Sequence, residues 1–309
     1  MRSSRGADPR AGFERALAGL PVALRPGEPL AGHTTFNIGG PARFLLEVGS
    51  EPALAAALAA CRELGLRWWL LGRGSNVLIS DQGLDGVVLR LVGEFEALAV
   101  AGGRVEAGAG AGLDDIAGVA EAAGLSGFAF LAGIPGTLGG GLRTNAGAFG
   151  GWLADLLEEL RVMDPDGATR TLARDELRSG YRRAVYDGAA VALRAGLRGG
   201  AGPVAETCAE IRRRRREKQP AGCSAGSFFK NPPGEAAGRL IERCGFKGRR
   251  IGGAQVSERH ANFIINTGGA GFADVYALAQ AVKAGVEAQT GVLLEEEVRV
   301  LPGDGEGEQ

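Results

Sequence analysis

The chain has 309 residues, 45% hydrophobic and 23% charged, with a formal net charge of -1 at pH 7. That length accommodates two domains with a core each, and the balanced charge offers no overall attraction to nucleic acid or an anionic membrane. No apolar run reaches the roughly 18–20 residues of a membrane span, and the polar start Met1–Arg10 lacks a signal core.

In chain order, the pattern predicts a disordered start of about a dozen residues, a strand over 43–48 and a helix over 52–64 with alanine and leucine along one face. Strands over 67–71, 77–80 and 87–91 follow, the last two joined by an Asp81-Gln82-Gly83 turn. Short β stretches over 97–101 and 104–107 lead to a helix over 113–123, and Pro165-Asp166-Gly167 turns a hairpin of 160–164 with 169–172. The run Gly199–Pro203 marks a boundary; beyond it come a helix over 204–218, helices over 235–244 and 272–290, and strands over 261–266 and 297–301. The organisation expected is α+β: an extension 1–28, a first domain 29–200, a second domain 203–302 and a polar, disordered tail 303–309.

Four separated cysteines without a Cys-x-x-Cys pair point to reduced thiols and away from zinc or a disulfide framework. Only His33 and His260 are present, which disfavours histidine-based metal or triad chemistry. Glycine, at 53 residues, is more than twice its usual share.

The glycines cluster where ligands would be held. Gly72-Arg73-Gly74-Ser75-Asn76 leaves a strand and can turn successive N–H groups toward one point, a nest for a pyrophosphate, though a simple tight turn needs the same glycines. Gly108–Gly112 lacks the third glycine of a dinucleotide fingerprint, and Asp114 and Asp115 would repel a phosphate there, so it reads as a structural helix start. Gly133-Ile134-Pro135-Gly136-Thr137-Leu138-Gly139-Gly140-Gly141, continuing to Asn145-Ala146-Gly147, predicts neither helix nor strand and suits close approach to a large flat ligand, though a segment that needs its glycines for packing would read the same way. The five arginines 212–216 read as a solvated helix face whose end points toward an anionic substrate. The densest polar stretch is Gly226-Ser227-Phe228-Phe229-Lys230-Asn231-Pro232, with a hydroxyl, an ammonium and an amide on a backbone suited to neither helix nor strand, so its polar groups are expected to face a ligand.

Taken with Thr35–Ala42, Gly180-Tyr181-Arg182, Lys218-Gln219-Pro220, Arg250–Gly253 and Glu297-Val298-Arg299, these stretches resemble, in order over about 30–302, the UDP-N-acetylenolpyruvoylglucosamine reductase (MurB) family. The resemblance implies an N-terminal FAD-binding domain of the vanillyl-alcohol-oxidase (PCMH) type and a smaller C-terminal α+β substrate domain. It implies noncovalent FAD on Gly72 to Asn76 with Val77 and Leu78, on Gly133 to Thr137 with Gly139 and Gly140, and on Asn145, Ala146 and Gly147. NADPH as hydride donor, a UDP-sugar enolpyruvyl ether as substrate, and a cytoplasmic, preferentially monomeric bacterial enzyme without nucleic-acid or membrane partner and without a metal are implied as well. By motif position Ser227 matches the proton donor, and Arg182 and Glu297 match the residues that stabilise the enol; Tyr181, Lys218, Lys230 and Asn231 match or neighbour substrate contacts. One departure stands out. Residues 187–218 leave no room for the longer type's tyrosine-bearing insertion, and the Arg212–Lys218 helix end is expected to cover the substrate instead.

Overall fold

The computed structural model describes residues 9–199 and 207–301. The boundary read at 200–203 and the tail at 303–309 lie outside them. Residues 9–16, expected to be disordered, form helix α1 (Pro9–Ala16), because Phe13 is fully buried with its ring 5.5 Å from that of Phe44.

Next come β1 (Val22–Pro26), β2 (Ala42–Val48), α2 (Glu51–Glu63), β3 (Trp68–Leu70), β4 (Val77–Ile79) and β5 (Leu84–Leu91). Strands β1-β2-β5-β3 make one sheet, with β2 and β3 parallel to β5 and β1 antiparallel to β2. Leu45 and Val88 face one side and Phe44, Leu46, Val87 and Leu89 the other, all buried, as a covered parallel sheet requires. Ser50 caps α2 by accepting the Ala53 N–H, and the helix buries Leu54, Ala57, Leu58 and Cys61 at three- and four-residue spacing. Burial pushes the Cys61 thiol up to about 12, which keeps it protonated and unreactive.

The chain continues through β6 (Leu98–Ala101), β7 (Arg104–Gly108), α3 (Leu113–Ala122), α4 (Leu138–Thr144), β8 (Gly147–Ala148), β9 (Gly151–Trp152), α5 (Leu153–Leu156), β10 (Leu157–Met163), β11 (Thr169–Ala173) and β12 (Val191–Leu197). A second sheet, β11-β10-β12-β7-β6, is antiparallel throughout, and α3 and α4 pack on it through Leu113, Ile116, Leu138 and Leu142. Helix α4 overturns the expectation that the Gly-rich stretch forms no helix. Thr137 caps it by accepting the Gly140 N–H, and the Gly139 N–H is held by the Ala109 carbonyl at 2.7 Å, so tertiary contacts override the poor propensity of three glycines.

The last part holds α6 (Cys208–Lys218), α7 (Ala237–Arg243), β13 (Arg250–Ile251), β14 (Ala254–Val256), β15 (Ile264–Asn266), α8 (Phe272–Thr290) and β16 (Arg299–Leu301). The small sheet β13-β14-β15 and helices α7 and α8 enclose a core that includes Phe228, Phe229, Leu240, Val275 and Leu278. Two features tie the parts together. Cys208 and Ile211 of α6 belong to the core of the second sheet, and β16 runs parallel to β4, pairing Arg299 with Val77 and Leu301 with Ile79. Among the described residues no helix is long and apolar enough to cross a membrane.

Candidate active site

The loop that leaves β3 carries five successive N–H groups, Gly72 to Asn76, and none donates to a protein acceptor among the described residues. Gly74 has φ +61°, and a Cβ there would lie 2.1 Å from the His33 carbonyl oxygen, so only glycine fits this bend. The 133–137 stretch lies beside it: a Cβ on Gly72 would be 2.6 Å from Thr137 Oγ1, and one on Gly136 3.5 Å from Ser75 Oγ. The N–H groups of Gly136 and Thr137 are likewise without protein acceptors among the described residues. Donors clustered in this way suit a diphosphate. The residues present therefore fit the pyrophosphate of FAD.

Asp114 and Asp115 do not oppose this. Arg212 Nη2 lies 2.8 Å from Asp114 Oδ1, which also accepts the Gly133 N–H, and Arg73 Nη2 lies 3.1 Å from Asp115 Oδ2. The Gly108–Gly112 stretch is structural, as read: a Cβ on Gly108 would meet the Phe95 carbonyl at 2.1 Å.

The arginine run departs from a solvated face. Arg215 donates to the carbonyls of Ala132 (2.8 Å) and Phe130 (3.2 Å), and its guanidinium lies over the Phe149 ring at 5.3 Å. Burial pulls its pKa below the ordinary value, with Asp114 opposing. Helix α6 is thus bolted to the segment that leads into Gly133–Thr137, which a charge-run pattern alone does not disclose.

Four distant stretches meet at Glu297. Its N–H donates to the Phe228 carbonyl at 2.8 Å, one residue from Ser227, and its own carbonyl accepts from Asn76 Nδ2 at 3.0 Å. Arg182 Nε lies 2.8 Å from Glu297 Oε1, an ion pair between two mostly buried side chains. Arg182 holds φ +54°, a left-handed conformation uncommon outside glycine and concentrated at functional positions. Burial raises the Glu297 pKa above the usual carboxylate value, with Arg182 and then Lys230 opposing.

The Ser227 stretch is packed more than its composition suggests. Phe228 and Phe229 are buried in the core, and only the polar residues flanking them reach the surface of the site. Lys230, expected near a substrate contact, pairs with Glu295 at 3.1 Å. Asn231 Oδ1 accepts the Ala237 N–H at the start of α7, while its own N–H donates to Tyr181 Oη at 3.0 Å. Tyr181 in turn meets Trp152 edge-on. Asn145, assigned to the flavin, is 2% exposed; its Oδ1 accepts the Ala154 N–H and its Nδ2 donates to the Gly180 carbonyl, so its side chain anchors the strand of chain that carries Arg182. Lys218, exposed at the end of α6, makes no ion pair or side-chain hydrogen bond among the described residues.

Sequence reasoning gave Thr35 no role beyond its motif and passed over Asn262. Thr35 donates to the Ser224 carbonyl (2.6 Å) through Oγ1 and to the Gly74 carbonyl (3.1 Å) through its N–H, bridging the Gly72–Asn76 loop to the Ser227 segment. Asn262, 3% exposed, brackets Phe229 through both its amide atoms. A buried polar residue in an apolar strand was the available signal.

Comparison with known proteins agrees with this architecture. A profile for the C-terminal domain of UDP-N-acetylenolpyruvoylglucosamine reductase matches residues 218–301, and one for an FAD binding domain matches residues 42–173. UDP-N-acetylenolpyruvoylglucosamine reductase 2 of Symbiobacterium thermophilum is 43% identical over 298 residues, covering 93% of this chain and 94% of that protein. The corresponding reductase of Heliobacterium modesticaldum is 44% identical, covering 91% of each. The crystal structure of UDP-N-acetylenolpyruvylglucosamine reductase (MurB) from Thermus caldophilus superposes with a TM-score of 0.78 at 37% identity, covering 92% of this chain and 100% of that one.

Proposed function

Because the chain belongs to the UDP-N-acetylenolpyruvoylglucosamine reductase family, we propose that it reduces the enolpyruvyl ether of a UDP-N-acetylglucosamine to the corresponding lactyl ether, UDP-N-acetylmuramate, for peptidoglycan precursor synthesis. Bound FAD, recharged by NADPH, supplies the hydride that reaches C3 of the enolpyruvyl group. The chain's own task is the charge and the proton. As hydride adds at C3, negative charge develops at C2 and spreads into the substrate carboxylate, and it must be stabilised without water.

The Arg182 guanidinium faces that carboxylate, and Glu297, 2.8 Å from its Nε, holds it in place. Burial, which raises the Glu297 pKa, favours a carboxyl that hydrogen-bonds the enol oxygens and keeps its own proton. Ser227 Oγ–H delivers the proton to C2 and is then reprotonated from solvent, so hydride and proton together balance reduction of the double bond. Lys218, with Lys230, Asn231 and Tyr181 near the Ser227 segment, meets the diphosphate end. The N–H groups of Gly72 to Asn76 and of Gly136 and Thr137 hold the FAD pyrophosphate, with Val77, Ile134, Pro135, Gly139, Gly140, Ala146 and Gly147 along the rest of the cofactor; Leu78, expected there too, is fully buried in the core behind Val77. The proposal extends to a monomer in the bacterial cytoplasm, where NADPH and UDP-sugars are found, acting without nucleic-acid or membrane partners.

The observation that carries this reading is the meeting of Glu297, Arg182 and the residue next to Ser227, from three separate stretches, beside a loop of unpartnered N–H groups. An anaerobic spectrum tests it. NADPH should bleach the flavin bands and UDP-N-acetylglucosamine enolpyruvate restore them, with Ser227→Ala blocking only the return. Flavin that the enolpyruvyl substrate fails to reoxidise would refute the substrate assignment.

A further inference from the structure

The loop Ser257–Phe263, between β14 and β15, bonds to both parts of the site assigned to the substrate. Its carbonyl at Asn262 accepts the Phe228 N–H at 2.7 Å. Its Asn262 side chain accepts the Phe229 N–H at 2.9 Å and donates to the Phe229 carbonyl at 2.8 Å. Phe263 also bridges to Ser227 itself. Three residues earlier, Arg259 Nη1 donates to the carbonyls of Arg216 (2.8 Å) and Gln219 (3.2 Å), which flank Lys218 at the end of α6.

The loop is stiff. Ser257 Oγ accepts the N–H groups of Arg259 and His260, His260 Nδ1 accepts the Asn262 N–H, and the Ser257 N–H closes the loop on the Phe263 carbonyl at 2.8 Å. The His260 ring rests edge-on against Phe263, 4.9 Å between centroids. Bonds within the loop therefore satisfy its turn, and its two outward-reaching side chains are spent on other segments. Helix α6 meanwhile rides on the first unit through Arg212 and Arg215.

We infer that the Ser257–Phe263 loop is a common mount for the substrate site, in which Asn262 positions Ser227 for proton delivery and Arg259 positions Lys218 for the diphosphate. The inference rests on the proposed function and adds two positioning residues, neither of which touches the reacting atoms. Both arms leave one stiff turn, so the loop fixes the span between the proton donor and the ammonium. A displacement of about 1 Å at a reacting group can cost about 10²-fold in rate, whereas a displaced ammonium weakens ground-state and transition-state binding alike. The two arms should accordingly fail in different kinetic parameters.

The test is single-turnover kinetics on the flavin-loaded enzyme, with reduction by NADPH as the internal control. Asn262→Ala should slow reoxidation at saturating substrate about 10- to 100-fold, with the half-saturating substrate concentration changed less than about threefold. Arg259→Met should raise that concentration about tenfold with the saturated rate within about twofold, and Arg259→Lys should recover part of it. Asn262→Asp, which keeps an acceptor for the Phe229 N–H and loses the donor, serves if the alanine variant does not fold. Equal slowing of both half-reactions, or the same parameter changed by both arms, would overturn the inference and leave the loop a structural part only.

Hydrogen exchange on the same proteins keeps the two readings separable, since it needs no substrate. Exchange at Phe228 and Phe229 should accelerate about tenfold in Asn262→Ala, and exchange in the last turn of α6 in Arg259→Met. If neither region responds, the mount is refuted whatever the substrate; if both respond but the enolpyruvyl ether never reoxidises the flavin, the proposed function fails and the mount stands.

Discussion

Replacing Glu297 by glutamine separates what the ion pair does for folding from what it does for the reaction. Breaking a fully buried pair costs about 3–5 kcal/mol, because one charge is left uncompensated. Here neither end is dry: the side chains of Arg182 and Glu297 are 20% and 12% exposed. The Glu297 pKa is also raised in spite of Arg182, so burial penalises its charge more than pairing favours it. The sign follows. The folded carboxyl retains its proton above 4.5, where the unfolded one has released it, so its contribution to stability declines as pH rises through 4.5 to the raised value and is level above. A neutral amide abolishes that decline. At pH 8 Glu297→Gln should stay within about 1 kcal/mol of wild type, and its relative stability should improve between pH 4 and 8. The reaction should respond far more. Losing a preorganised group at a developing charge costs roughly 10²–10³-fold, so substrate-driven reoxidation should fall by that factor while reduction by NADPH is spared. Urea denaturation at pH 4, 6 and 8 and stopped-flow absorbance at the flavin bands give both quantities. A loss of more than about 3 kcal/mol together with an undiminished reoxidation rate would show that the pair is structural and sink the argument.

Gly74→Ala forces a Cβ against the His33 carbonyl at φ +61°; it should lower stability by roughly 1–3 kcal/mol and yield protein with less flavin per chain, read from the visible-to-ultraviolet absorbance ratio. Arg215→Met strips two carbonyls, at Phe130 and Ala132, of their donor; a loss on the order of 2–4 kcal/mol is expected, with weaker FAD binding by titration, and unchanged FAD affinity would refute the coupling of α6 to the flavin loop. Burial lowers the His260 pKa below 6.5, with Lys247 adding to it and Glu242 opposing. Its contribution to stability is therefore whole above 6.5 and is lost as pH falls through 6.5 toward the folded value, a window above that of the carboxylates with lowered pKa, Glu28, Glu158, Glu210 and Glu296, which act below 4.5. The melting temperature should fall between pH 7 and 5, and His260→Gln should flatten that fall; an equal slope in both proteins would refute it.

The sequence exposed the elements whose periodicity is long and the loops whose composition is extreme. Helix α8 was legible end to end over 272–290, since nineteen residues repeat one apolar stripe. Strand β12 was missed because Val191–Leu197 is buried almost throughout and shows no alternation. The hairpin β13–β14 was missed because its strands are two and three residues long. Helix α4 was misread because propensity argues against three glycines, and only the Ala109 contact reveals why they are tolerated. The motifs singled out Ser227, Arg182 and Glu297, and the structure sets Arg182 against Glu297, yet the burial of Arg215 and the grip of Asn262 were not legible. Both depend on partners more than thirty residues away, which no local pattern encodes.

The pairing of β16 with β4 bears on how the molecule is born. Strand β4 continues directly from the Gly72–Asn76 loop, and the Asn76 carbonyl accepts the Arg299 N–H at 3.0 Å. The phosphate loop is thus clamped by residues synthesised more than two hundred positions later. A nascent chain still held at α8 has every N–H proposed for the cofactor but not the strand that fixes their aim. Flavin capture becomes a checkpoint on completed translation, and a chain truncated after Gly291 should purify colourless however well its first sheet has folded.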